Sequence, residues 1–276
     1  MSEERRIRIL YTVGAAAMTA FCLLPVAYMV LVAASRRPDI FSAGAEVRLT
    51  AGHFLDVLGT GSLHFPEYVV NGIAISGLSA ILAVVLAAPA AYAVTRLDLP
   101  GRMSFLFLVL AVSMFPPVSL VSYLFRMMSA LGWINTYAAL VLPYTAWVLP
   151  LSLWILASHF SRIPRDLDRA ALLDGCGRLA ALRKVMVPVA APGILSTAIL
   201  AFIFAFNEFL FALLLTTGRN ARTIPVGIAL FEGLHGEIPW GMIMAAATLA
   251  VVPVVLLVLV FQRGIVAGLT RGAVRE

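Results

Sequence analysis

Six apolar runs, separated by polar connections, set the pattern of this chain; they cover about 9–34, 68–95, 103–126, 136–159, 193–215 and 240–261. Roughly 20 apolar residues in a helix cross the hydrocarbon core of a bilayer. The pattern therefore predicts an all-α integral membrane protein with six transmembrane helices in a single transmembrane domain, 1–276. Arg5, Arg6 and Arg8 precede the first run, and the small residues Ala33, Ala34 and Ser35 close it. A cleaved signal peptide is the competing reading, but the run of about 26 residues far exceeds a signal core of about 7–15. We read it as a span.

Breakers punctuate the runs. Asn71, Gly72, Gly77 and the stretch AAPAAYA give the second span small residues that let helix backbones approach closely, and Pro89 predicts a kink there. Pro100–Gly101 mark a tight turn, Pro116–Pro117 break the third span, and Pro143 and Pro150 lie inside the fourth. Prolines in spanning helices free carbonyls that neighbouring helices or a water-lined cavity must satisfy. Their clustering marks either a pathway or kinks that only serve packing. The loop from Arg36 to Glu67, with Pro38, Asp39, Gly44, Glu46 and Gly61, holds one short amphipathic stretch, AGHFLDVL. The loop from Thr216 to Pro239 carries Glu232 and Glu237 against Arg219 and Arg222.

One connection differs from the rest. Between spans four and five, IPRDLDRAALLDGCGRLAALRKVMVPVAAP (163–192) is dense in charge and cannot lie in hydrocarbon. Apolar residues at helical spacing (Leu167, Ala170, Ala171) predict a short helix, Gly175 supplies a turn that tolerates positive φ, and Leu179, Leu182, Val185 and Met186 predict a second helix ended by Pro188. Such a pair either lies passively on the membrane surface or docks a partner.

Composition and charge sharpen this picture. Apolar residues make up 62% of the chain and charged ones 12%, against about a quarter charged in soluble domains. The net charge of +6 does not indicate nucleic acid, because the basic residues sit at span edges. With the N-terminus assigned to the cytoplasm, 14 of the 20 lysines and arginines fall on that side, as the positive-inside rule requires. Both termini and the 163–192 connection are then cytoplasmic, in a plasma membrane. No phosphate-binding loop of the G-x-x-x-x-G-K-[ST] type and no H-E-x-x-H pattern is present. His53, His64, His159 and His235 lack ligand spacing, and Cys22 and Cys176 sit in different environments. The chain is read as non-enzymatic, with no cofactor or metal of its own. Asn207 and Glu208, in the second half of the fifth span, are the polar residues whose depth suggests function; Phe209, Tyr123, Tyr144 and Trp147 supply aromatic faces for a candidate pathway. A purely structural hydrogen bond at Glu208 is the alternative.

The connection also carries a resemblance. DRAALLDG followed by VMVP, with Ala170, Ala171, Asp174, Gly175, Val185, Val187 and Pro188 in matching places, resembles the EAA loop of ATP-binding-cassette importer permeases. Arg169 stands where that family has glutamate, and Asp168 beside it is a candidate for the missing acid. MFPPVSLV, LGWINTYAALVLPYTAWVLPLSLWIL, FNEFLFALLLT and the tail FQRGIVAGLTRGAVRE resemble the carbohydrate branch, in its second maltose- or trehalose-type permease, with Phe206 where tryptophan is common. The resemblance implies a type I importer permease fold, a second permease subunit, and two ATPase subunits that bind ATP and Mg. It also implies an extracytoplasmic binding protein that delivers a sugar. Asp168, Arg169, Ala170, Ala171, Asp174, Gly175 and Pro188 become the ATPase-coupling residues. Other cargoes (polyol, glycerol phosphate, polyamine) remain open. An ion-driven secondary transporter would need further buried acids or an inverted repeat, and the sequence displays neither.

Overall fold

The computed structural model describes residues 3–36, 49–59, 64–231 and 238–270. Pro38, Asp39, Gly44, Glu46, Gly61, Glu232, His235 and Glu237 lie outside the described residues, as do the tail side chains after Gln262. Helices dominate: α1 Glu3–Ala33, α2 Gly52–Gly59, α3 Phe65–Arg96, α4 Arg102–Ser113, α5 Val121–Ala130, α6 Tyr137–Ser161, α7 Arg165–Leu173, α8 Arg178–Ala181, α9 Val187–Val189, α10 Ala191–Phe206, α11 Leu210–Leu215, α12 Ile224–Ala229 and α13 Trp240–Thr270. The only extended pairing among the described residues is an isolated bridge between Ser35 and Leu49.

Four helices are long and apolar enough to cross a membrane: Ile7–Ala33 within α1, α3, α6 and Trp240–Gln262 within α13. Two more stretches qualify only as bent pairs, which brings the number to six if each is one span. One is α4 with Pro117–Ala130, bent by 78° at the Pro116–Pro117 break. The prolines act as expected: Pro116 is extended, and the chain restarts as a 3-10 turn with Pro117 at its first position, where a missing N–H costs nothing. The other pair is Arg178–Val189 with α10, bent by 82°. By contrast α3 runs on through Pro89, and α6 through Pro143 and Pro150.

Two expectations are corrected. Pro188 does not end the second island helix, which continues to Val189. A π-helical turn, Leu182–Met186, ends two residues before Pro188; widening the helix there accommodates a residue that has no N–H for the carbonyl four positions back. The fifth span is not one helix either. It breaks after α10 at Asn207–Phe209 and restarts as α11. At 1.5 Å per residue the 16 residues of α10 reach only about 24 Å, short of the roughly 30 Å core.

The chain parts into two compact units, Met1–Pro66 with Gly227–Val252 and Glu67–Val226 with Pro253–Glu276. In the first, the predicted amphipathic stretch forms α2, with Val57 buried and the His53 ring 3.0 Å from the Ala33 carbonyl through Nδ1. Most apolar side chains of α1 stay exposed, Leu10, Phe21 and Leu24 among them, as a helix facing lipid or another membrane chain requires.

The second unit has two apolar cores. One joins the alanine face of α3 (Ala87, Ala88, Ala91) to Leu156 and Phe160 of α6 and to Leu182 and Met186 of the π turn. The other joins Ile75 of α3, Leu140 and Tyr144 of α6, and Phe211 and Leu215 of α11. Helix α10 packs so closely on α6 that a Cβ built on Gly193 would stand 2.6 Å from Cγ of His159. Gly193→Ala is therefore expected to cost about 1–3 kcal/mol. Adding His159→Ala should recover most of it, as read by thermal unfolding of the purified protein.

Candidate functional site

The 163–192 connection folds as a stiff helix–turn–helix. Helix α7 ends in a Schellman motif: the N–H of Gly175 donates to the Leu172 carbonyl (3.1 Å) and that of Cys176 to the Ala171 carbonyl (3.0 Å). Gly175 sits at φ +83° with nothing within 4 Å of a built Cβ. The glycine is thus required by backbone angle and not by space, as the sequence suggested. Ala170, Asp174, Gly175 and Pro188 are exposed, whereas Ala171 is buried.

The hairpin has two chemically distinct faces. Outward, Leu173 is 88% exposed and Leu179 65%, next to Leu167 and Leu172. Arg169 lies there too, 3.5 Å from Asp166 in a solvated i,i+3 pair of little energetic weight. Inward, Asp168 is 7% exposed and accepts a 2.7 Å hydrogen bond from the Tyr92 hydroxyl of α3. The carboxylate expected to replace the missing glutamate therefore points into the protein, and the outer acids are Asp166 and Asp174. A second tie comes from Arg96, at the end of α3. Its Nη2 donates to the carbonyls of Phe160 (2.9 Å) and Ile163 (2.7 Å) and touches Sδ of Met186 at 3.8 Å. One guanidinium thus joins α3, the end of α6, the entry to the hairpin and the π turn.

Away from the hairpin, the Pro116–Pro117 break opens a cavity of about 460 Å³ lined by Phe115, Tyr123, Pro143, Trp147, Pro150 and Phe211, among others. Two of the candidate pathway aromatics, Tyr123 and Trp147, meet in it, and the Trp147 ring stands edge-on to Phe211 at 6.3 Å. Asn207, Glu208, Phe209 and Tyr144 are not on its wall. Tyr144 is fully buried, its hydroxyl 3.5 Å from the Glu208 carbonyl oxygen. Asn207 and Phe209 are exposed, and Asn207 Nδ2 donates to the Ile203 carbonyl at 2.8 Å.

The chain thus combines helices long enough to cross a membrane, a hairpin braced against two of them and a broken, aromatic-lined span. The binding-protein-dependent transport system inner membrane component family matches residues 79–271. The chain belongs to that family. Among its relatives is the trehalose/maltose transport system permease protein MalG of Thermococcus litoralis, 49% identical over 276 residues, covering 100% of this chain and 99% of the relative. The trehalose transport system permease protein SugB of Mycobacterium tuberculosis is 47% identical over 76% of this chain and 77% of its own length. The sulfoquinovosyl glycerol transport system permease protein SmoH of Agrobacterium fabrum is 42% identical over 82% of this chain and 78% of its own. A chain in the crystal structure of a bacterial ABC transporter for import of the acidic polysaccharide alginate shares the fold, with a TM-score of 0.77, 20% identity and coverage of 95% and 98%. The all-α importer permease architecture is thereby shown.

In this permease the residues that sequence reasoning missed are the braces. Tyr92 and Arg96 looked like ordinary span-end residues; only the chance that a polar group near a span end must find a partner could have flagged them. Phe115 and Phe211 of the cavity lie inside the stretches MFPPVSLV and FNEFLFALLLT, but nothing in the sequence set these two phenylalanines apart from their neighbours as cavity walls. Glu208, which depth did flag, accepts from the N–H groups of Phe211 (2.9 Å) and Ala212 (3.2 Å). It thus satisfies donors that a helix start inside a membrane leaves orphaned. Glu208→Ala is expected to destabilise the permease by about 1–3 kcal/mol and lower the yield of assembled protein, while Glu208→Gln, which keeps one oxygen, recovers most of it. Normal assembly of the alanine variant with lost transport would instead assign the carboxylate to cargo or gating.

Proposed function

We propose that this permease forms, with a second permease subunit, the translocation path of an ATP-driven importer for a sugar such as trehalose or maltose, delivered by an extracytoplasmic binding protein. It hydrolyses nothing itself; two partner ATPase subunits bind ATP and Mg. The observation that carries the reading is the hairpin with one free apolar-and-charged face and one face bolted to α3 and α6 through Asp168 and Arg96. A floppy loop would absorb displacement, whereas a braced one transmits it. The outer face around Arg169, Leu173 and Gly175 is read as the seat for an ATPase subunit on the cytoplasmic side, where both termini also lie.

Closure of the ATPase pair around ATP then displaces the hairpin, and the braces pass the displacement to α3 and α6. Population moves only as far as contacts differ between two states, so nucleotide supplies the difference inside and the binding protein supplies it outside. Cargo contact falls to the exposed Asn207, Phe209 and Tyr123 and the half-buried Trp147, while Glu208 and Tyr144 shape the break in span five.

The sugar assignment is supported by the names of the MalG and SugB relatives. A glycosylated glycerol is the second reading, supported by SmoH. The test is ATPase activity of the co-purified complex with its binding protein across trehalose, maltose, other disaccharides and glycosyl glycerols. Stimulation by a disaccharide is expected. Stimulation only by a polyamine or an amino acid would overturn the cargo reading, and an inert complex would overturn the importer reading.

A further inference from the structure

Beside the hairpin lies a second cavity, of about 320 Å³, between the end of α3, the start of α4 and the end of α6. Three arginines line it, Arg96, Arg102 and Arg165, and no acidic residue does. None of the three is ion-paired with a carboxylate among the described residues. Arg96 is committed to two carbonyls, but Arg165 makes only a 3.4 Å contact to the Thr95 carbonyl. The N-terminus of α4 opens here, and no side chain caps it, so the helix dipole adds to the positive field. The buried Asp168 carboxylate acts on Arg96, which leaves Arg102 and Arg165 as a pair of cations with no carboxylate partner among the described residues. Such a pair, held together by the fold, calls for an anion.

The rest of the wall says which kind. Leu106 and Trp154 continue the cavity along α4 and α6, away from the guanidinium end, while Ser161 adds a hydroxyl beside the arginines. A charged rim over an apolar floor, placed where three spanning helices meet the polar layer, matches the amphiphilic profile of a phospholipid. Trp154 is 40% exposed, and tryptophan favours this depth. A free phosphate would use the rim and leave the apolar floor unexplained. We infer that this cavity is a binding site for an anionic phospholipid, its phosphate held by Arg102 and Arg165 and an acyl chain laid along Leu106 and Trp154. The inference rests on the membrane placement of the chain and not on the identity of its cargo.

The test is native mass spectrometry of the complete complex, purified in mild detergent and supplied with phosphatidylglycerol or phosphatidylcholine. The wild-type complex should retain phosphatidylglycerol in preference to phosphatidylcholine. Arg102→Gln should lower that retention about fivefold, and Arg102→Gln with Arg165→Gln further, on the scale of one arginine at an anionic surface. Ser161→Glu, at an exposed position, sets a carboxylate beside the rim and should have the same effect without touching an arginine. Equal retention of the two lipids, unchanged retention in all three variants, or full displacement by inorganic phosphate would overturn the assignment. Sugar-stimulated ATPase activity of the same samples reports on the importer reading separately.

Discussion

A complex carrying Gly175→Val is expected to assemble and to hydrolyse ATP, while uptake falls about tenfold or more. Gly175 holds φ +83°, and a β-branched residue there is a genuine outlier. The strain is about 1–3 kcal/mol, comparable to the whole preference for one turn geometry over another. The chain relieves it by loosening the Schellman turn, so the outer face of α7 loses its angle to α8. No core side chain is touched, because a Cβ at this position meets nothing within 4 Å. Gly175→Asn is the matched control: asparagine visits the left-handed region readily and should keep most of the uptake. Measuring uptake and ATPase activity on both variants separates backbone angle from loss of side-chain space. Wild-type uptake in the valine variant would remove the hairpin from the coupling path.

Arg96→Gln should have the other large effect. Two charge-assisted hydrogen bonds of 2.9 and 2.7 Å hold the end of α6 to α3, and such bonds are worth about 1.5–3 kcal/mol each. Glutamine is shorter and neutral and cannot reach both carbonyls. The expected outcome is a lower unfolding temperature together with ATP hydrolysis that no longer follows substrate. Arg96→Lys should fall between, because an ammonium keeps the charge and the donors but ends one atom short of the Nη2 that serves both carbonyls. Asp168→Asn keeps an acceptor for Tyr92 and should be milder than Asp168→Ala, which orphans a buried hydroxyl. If Arg96→Gln lowers stability but leaves ATPase activity and uptake in their normal ratio, Arg96 is a structural clamp and not a transmission element.

Span existence was legible from the chain because a bilayer imposes a length and an apolarity that few soluble helices share. The hairpin was legible for a related reason: charge between two spans has only the aqueous side to occupy, and Gly175 announces a turn that no other residue makes cheaply. The Pro116–Pro117 break was equally local, since a proline pair removes adjacent hydrogen bonds whatever surrounds it. Pro188 shows the limit of that logic. Its effect depended on whether the preceding turn could widen, which the packing of Leu182 and Met186 against Phe160 decides.

What the chain order alone could not assign was the direction in which each polar side chain points. Asp168 and Arg169 are neighbours in sequence, yet one is buried on Tyr92 and the other faces solvent. Periodicity names a helix face but not what lies beneath it. Likewise the depth of Glu208 marked it as costly, and only the break in span five reveals that its carboxylate caps the next helix. Hydropathy and turn chemistry act between near neighbours and can be read along the chain. Partnerships such as Arg96 with Ile163 join residues far apart in sequence, and those existed only once the helices had packed.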